Sequence, residues 1–361
     1  MSLLDIRDQA IPIRFLQNII RSGRVPNGML FHGPNGVGKA LAAREMIKAL
    51  NCKEHEADCC GECLTCRKIE HGTHPDVKEI SPSGKARNIG VDVVDFMNEL
   101  SMYRPFEGDW RVFIVHDVDR MRPDAQNHFL KTLEEPPSKT AFILLTEAPR
   151  RLLPTIRSRC QQVRFGALRP ETVQELLLRD RDIPAPVAEA LAAVSQGQMS
   201  RALDLVDSEK RNLVLDVTLR LAEGEDPLTV SEVFVTHMKA EGDNIKASVK
   251  ADLEQGGAQD VSKEEREESK NEQMALIEAL IRRDLMEYLY LLETWYRDVL
   301  VYTATQDERQ VLNRDQVDRL ATYDQRDVAS KLGAIEKAWV YIERNLNVDR
   351  VFRDLFFALA P

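Results

Sequence analysis

The chain of 361 residues has no apolar run long enough to cross a bilayer, and it opens without a charged-then-apolar leader. Both absences lead to the expectation of a cytoplasmic protein with no membrane partner. An excess of basic charge is missing too: 49 Lys and Arg stand against 59 Asp and Glu, a formal net charge of −10. Gripping nucleic acid alone takes a basic surface that displaces phosphate counterions, whereas a subunit that helps to enclose DNA does not need one. Cysteine is scarce outside one place, because five of the six lie between Cys52 and Cys66. That is too crowded for a disulfide framework and well spaced for a metal. What is present is 43% hydrophobic content, enough for ordinary cores in two or three domains.

Gly33-Pro34-Asn35-Gly36-Val37-Gly38-Lys39-Ala40 follows a short apolar run and opens a helical pattern. Strand, glycine-rich turn and helix are the setting of a phosphate-cradling loop. Its N–H groups converge on an anion, the helix N-terminus adds partial positive charge, and Lys39 reaches the terminal phosphates. Ala40 stands where a Ser or Thr would put a hydroxyl on Mg²⁺. A second apolar run, Arg111 to His116, ends in Asp117-Val118-Asp119. Asp117 is the candidate Mg²⁺ carboxylate. The next residue, usually a water-activating Glu in such ATPases, is Val118. Asp119 would share a face with Asp117 if the strand stayed extended. Missing hydroxyl and missing base together argue against efficient hydrolysis, although the loop can still hold ATP, with Mg²⁺ weakly bound or absent.

Strands at 77–80, 111–116, 141–146 and 162–165 alternate with helices over 91–102, 123–135 and 153–159, which predicts a parallel α/β sheet. A helix ahead of the loop ends at Gly23, and the 123–135 helix stops at Pro136-Pro137. Phosphate loops lie at the carboxyl ends of such strands, as Asp117 and Thr146 would. Beyond residue 168 the strands cease. A small helical domain over 169–207 is followed by a helical region over 208–361, interrupted at about 239–273 by a charged stretch, a solvated helix or flexible insertion. Leu280, Leu285, Leu291, Trp295, Trp339, Ile342, Leu346 and Phe352 supply a bundle core, or an oligomer interface built on it.

Cys60-Gly61-Glu62-Cys63-Leu64-Thr65-Cys66 forms two overlapping C-x-x-C turns, with Cys52 upstream. Four thiolates close a tetrahedral structural Zn²⁺ site with no open position for catalysis. Spacing favours Cys60, and Cys59 is the alternative ligand. His55, His71 and His74 are nearby and read as surface histidines.

Lys131-Thr132-Leu133-Glu134-Glu135-Pro136-Pro137 and Arg157-Ser158-Arg159-Cys160, together with Asp117-Val118-Asp119 and the cysteine knuckle, resemble the AAA+ clamp-loader subunits of bacterial DNA polymerase III. Gln9, the lead Phe31-His32-Gly33-Pro34, and Asn345-Leu346-Asn347-Val348 fit the same family, over all of the chain but the charged stretch. The resemblance implies an AAA+ domain (1–168) with a zinc module, a helical lid (169–207) and a helical collar (208–361). It also implies an arginine finger at Arg159, a nucleotide sensor at Thr146 and a second sensor at Arg201. Implied partners are the motor (gamma/tau) and delta subunits and, through them, the sliding clamp and primed DNA. Ala40 and Val118 match the family's non-motor subunit, a stator with little or no ATPase of its own. The alternatives are an active gamma/tau-like motor that uses Asp119 as base, and an AAA+ helicase loader or stand-alone repair ATPase.

Overall fold

The computed structural model describes residues 2–55, 58–82, 88–134, 139–255, 263–323 and 327–361, with backbone alone for 251–255 and 263–272. These residues form two compact units. The first comprises Met1–Thr172 and Gly197–Ser200, the second Val173–Gln196 and Arg201–Pro361.

In the first unit, α1 (Ala10–Ser22) leads to β1 (Gly28–His32), the glycine loop and α2 (Lys39–Asn51). There follow α3 (Leu64–Glu70), β2 (Val77–Ile80), α4 (Val91–Ser101), β3 (Arg111–Val115), α5 (Pro123–Glu134), β4 (Thr140–Thr146), α6 (Pro154–Arg159) and β5 (Gln161–Arg164). All strand pairings are parallel, in the order β2-β3-β4-β1-β5. The strand carrying the loop is therefore interior, between β4 and β5. Alternate side chains point to opposite faces of a strand, and both faces here are covered. Met29, Phe31, Val112, Ile114, Ala141, Ile143 and Leu145 pack with α1, α2 and the cysteine segment. Leu30, Phe113, Val115, Phe142 and Leu144 pack with α4, α5 and α6. Such two-sided burial explains why the three interior strands, β1, β3 and β4, read as continuous apolar runs, whereas the edge strands β2 and β5 carry polar residues.

The expected elements sit within a residue or two of the observed ones. Gly23 ends α1 in the left-handed region, at φ 64°. β3 stops at Val115, one residue before the expected end. Glu134 is the last described residue of α5, and Glu135, Pro136 and Pro137 lie outside the described residues.

The second unit is helical among its described residues: α7 (Pro170–Asp180), α8 (Ala185–Val194), α9 (Met199–Asp207), α10 (Lys210–Ala222), α11 (Pro227–Gln255), α12 (Lys263–Thr305), α13 (Val317–Thr322), α14 (Val328–Glu343) and α15 (Val348–Leu359). The first residues of α7 and α9 belong to the first unit. Phe234 of α11 meets Tyr288, Phe352 and Phe356 at ring-centroid distances near 5 Å, edge-on to Tyr288 and Phe356, a favourable aromatic geometry, and tilted against Phe352. Leu285, Leu291, Trp295, Ile342 and Phe352 are buried, whereas Leu346 is exposed. The described parts of the charged stretch are helical, continuing α11 to Gln255 and beginning α12 at Lys263. No described helix is long and apolar enough to cross a membrane.

Candidate functional site

The loop leaves β1 at its carboxyl end, where His32 is in register with Thr146 and the Gly33 N–H donates to the Thr146 carbonyl at 3.2 Å. Glycine is required here by space as well as by torsion. A Cβ on Gly33 (φ 148°) would lie 2.2 Å from the Phe165 carbonyl oxygen, and one on Gly36 (φ 70°) would lie 2.3 Å from Ser200 Oγ. Gly38 caps α2, Val37 is buried in the core, and Pro34 and Asn35 are exposed. Lys39 is buried, and its Nζ donates to the carbonyls of Gly33 (2.7 Å) and Pro34 (2.6 Å). The loop's own backbone thus satisfies its cation. Burial holds the Lys39 amine below its usual range, against the upward pull of Glu147, Asp117 and Asp119. A cavity of about 820 Å³ opens beside the loop, lined by His32, Gly33, Asp119, Glu147, Arg151 and Arg164 among others. Burial, then Arg164 and Lys39, lower the pKa of His32, which favours the neutral ring at pH 7.

The expected pairing of Asp117 with Asp119 on one strand face does not occur. Asp117 adopts a left-handed conformation (φ 44°), and Val118–Arg120 form a single 3₁₀ turn. That turn sends Val118 into the core beneath the sheet, fully buried. Asp119 instead accepts a 2.5 Å hydrogen bond from Thr146 Oγ1 and lies 3.7 Å from Arg151. Thr146 and Asp119 are brought together as partners of each other. With Ala40 lacking a hydroxyl and Val118 facing inward, the residues present do not fit a hydrolytic Mg²⁺–ATP site.

The cysteines converge. Sulfurs of Cys52, Cys60, Cys63 and Cys66 all lie within 4.8 Å of one another. Cys60 Sγ accepts the N–H groups of Cys63 (3.2 Å) and Glu62 (3.4 Å), and Cys63 Sγ accepts that of Cys66 (3.4 Å). The N–H of Cys63, then that of Glu62, bring the Cys60 thiol down to about 6. A set of four thiolates steadied by backbone N–H groups can hold a tetrahedrally coordinated metal ion. Cys59 is outside the set. Its thiol donates to Glu45 Oε2 at 3.2 Å in a buried setting, and burial followed by Glu45 pushes it up to about 12. Glu45 also accepts from Lys48 at 2.8 Å, and Lys48 reaches on to Glu70 of α3. This chain, buried from Cys59 to Lys48 and ending at the exposed Glu70, ties the cysteine module to α2. Sequence reading missed it, although Glu45 and Lys48 break an otherwise apolar helix face. His74 is buried and accepts from the Asp76 N–H, which removes it from the surface where it was expected.

Arg159 lies at the end of α6, about a third exposed, paired with Glu134 and donating to the Thr155 carbonyl at 3.1 Å. The neighbouring Cys160 is a core residue. With Leu133 it packs on Gly28, where a Cβ would sit 3.0 Å from both side chains. Burial pushes the Cys160 thiol up to about 12, so it stays protonated at neutral pH. Arg201 is engaged inside the second unit. Its Nε is 3.1 Å from Glu287, and its guanidinium stacks 4.2 Å over the Tyr290 ring.

Five parallel strands in this order, with a P-loop after the interior strand, make the first unit an AAA+ P-loop domain. Residues 8–169 match the family described as DNA polymerase III, delta subunit, and residues 264–357 match the description DNA polymerase III, delta subunit, C terminal. The DNA polymerase III subunit delta' of Bacillus subtilis is 30% identical over 232 residues, 63% of this chain and 70% of that protein. The tau subunit of Escherichia coli is 35% identical over 209 residues, 56% of this chain but 32% of that protein. A DNA polymerase III gamma subunit-related protein of Thermotoga maritima superposes with a TM-score of 0.43 at 18% identity, covering 95% of this chain and 98% of that one. The chain belongs to the delta-prime family of DNA polymerase III clamp-loader subunits.

Proposed function

We propose that this chain is the stator of a clamp loader, turning over little or no ATP itself and lending Arg159 to the nucleotide of a neighbouring motor subunit. The observation that carries this reading is Val118, fully buried where a motor would hold its water-activating carboxylate. Ala40 removes the metal's hydroxyl as well. Arg159, by contrast, stands at the end of a short surface helix. A guanidinium is permanently charged and planar, suited to the charge that develops on a transferring phosphoryl group.

In this reading the four cysteines, Cys52, Cys60, Cys63 and Cys66, hold a structural Zn²⁺ that supplies order to a segment with few apolar side chains. Residues 169–207 serve as the lid and 208–361 as the collar. The partners are the gamma/tau motor and delta subunits and, through them, the sliding clamp and primed DNA. The loop Gly33–Lys39, with Asp117, Thr146 and Arg201, is a retired nucleotide site, consistent with a lysine already satisfied by loop carbonyls.

The test is reconstitution with Arg159→Ala. Loss of an arginine finger slows the site it serves by about 10³–10⁵-fold. Assembly should persist in gel filtration while that site's hydrolysis and clamp loading fall. Unchanged loading refutes the finger, and ATP turnover by the isolated chain at motor-like rates refutes the stator.

A further inference from the structure

Glu134 closes α5 in the Leu133-Glu134-Glu135 run, and its carboxylate pairs with the Arg159 guanidinium. The pairing is built into the core. Leu133 and Cys160, the chain neighbours of Glu134 and Arg159, are both buried and meet over Gly28 at the start of β1. Any larger residue at position 28 would push the two side chains away, so the sheet itself sets the spacing of α5's end from α6's end. The ion pair stays about half in solvent, with side-chain exposures of 35% for Arg159 and 47% for Glu134. A pair so exposed is weak enough to open. Among the described residues the guanidinium also donates to the Thr155 carbonyl, a neutral acceptor.

We infer that Glu134 is a positioning residue that stows Arg159 until a neighbouring subunit presents a phosphate. This rests on Arg159 acting as the finger. The guanidinium exchanges one anionic partner, the carboxylate, for another, the phosphoryl oxygens. No covalent bond changes. While stowed, Arg159 contributes nothing to the neighbour's nucleotide, so apparent affinity there falls in proportion to the fraction of time the pair is open. An exposed ion pair closes with a preference of about two- to fivefold, which leaves the open fraction at about a third to a sixth and raises the neighbour's KM for ATP about three- to sixfold.

The experiment is a loader reconstituted with Glu134→Gln, which keeps size and removes charge, with Arg159→Ala and with the double variant. ATP-dependent clamp loading on primed DNA is followed against ATP concentration. The expected result is a KM lowered about three- to sixfold by E134Q with kcat unchanged, an advantage that shrinks at high salt as the native pair is screened. R159A should lower kcat, as loss of a finger requires, and the double variant should match R159A alone. If E134Q lowers kcat as R159A does, or changes nothing while R159A does, the stowing role is overturned and the finger stands. If R159A has no effect, both fall. An E134Q effect that persists in the R159A background also overturns the inference.

Discussion

Asp76 is the residue whose loss should cost the first unit most. Its carboxylate is wholly buried and accepts four hydrogen bonds: from the Phe106 N–H (2.7 Å) and Arg111 Nη2 (2.9 Å) on one oxygen, and from the Glu107 (2.9 Å) and Gly108 (3.0 Å) N–H groups on the other. Arg111 also donates to the Leu100 and Tyr103 carbonyls. The pair thereby pins a loop that holds Met102, Tyr103 and Phe106 in solvent. Asp76→Asn keeps the volume but turns one acceptor oxygen into a donor. Two bonds become donor against donor, and Arg111 loses its counter-charge. Hydrogen bonds to a charged group contribute ~1.5–3 kcal/mol each, and removing one partner of a buried pair costs ~3–5 kcal/mol. The two figures describe overlapping losses, so ~3–5 kcal/mol is expected. For a unit of this size ~1 kcal/mol shifts Tm by ~2–4 °C, so its calorimetric transition should fall by about 10 °C. Trp110, whose N–H donates to Asn51 at 2.9 Å, is the first unit's one tryptophan and reports the loop by fluorescence. Burial opposes ionisation of Asp76, but the Gly108, Glu107 and Phe106 N–H groups and Arg111 outweigh it and hold the carboxyl below its usual value. Its contribution is therefore present above the unfolded value of ~3.9 and lost as pH falls through the lower folded value. The variant should lack this part of the acid dependence. A transition moved by less than about 2 °C would refute the reasoning.

Two further outcomes concern the cysteines and Gly28. Elemental analysis should find one zinc per chain, Cys63→Ser should remove it, and Cys59→Ser should leave it, because Cys59 is bonded to Glu45 instead. Zinc lost equally from both variants would count against the ligand set. Gly28→Ala adds a Cβ 3.0 Å from Cys160 and Leu133. Overpacking of this kind costs ~1–3 kcal/mol, and adding Cys160→Ala should recover most of the fall in Tm. No recovery would mean that the contact is not the cause.

The sheet and the loop were legible because they rest on local rules: apolar runs, glycines before a lysine, and a helix after them. The convergence of Cys52, Cys60, Cys63 and Cys66 was legible for the same reason, since C-x-x-C turns are set by four residues of backbone. Long-range choices escaped. Only the proximity of Glu45, fourteen positions earlier, draws Cys59 away from the four-cysteine cluster. Asp117 and Asp119 could not be separated by pattern, because the left-handed turn at Asp117 is a tertiary outcome at a residue type that tolerates it. Arg201 is occupied by Glu287 and Tyr290, far along the chain. Asp76 drew no notice, as a single Asp before a strand carries no signal without its partner Arg111.

One detail of the first unit has a practical side. Gly197–Ser200 belong to it although the residues on either side belong to the second. The Leu168 N–H donates to the Gly197 carbonyl at 3.0 Å, and the Met199 N–H donates to the Gly36 carbonyl at 3.2 Å. The chain therefore passes between the units three times rather than once. A protease that cuts one passage divides the chain into two fragments, and a cut after Thr172 leaves 1–172 joined to Gly197–Ser200 only by non-covalent contacts such as these two hydrogen bonds. A fragment that ends at Thr172 loses four residues that complete the loop's backbone bonding. Any chimera that borrows this AAA+ domain has to carry the returning segment with it, or the glycine loop arrives unfinished.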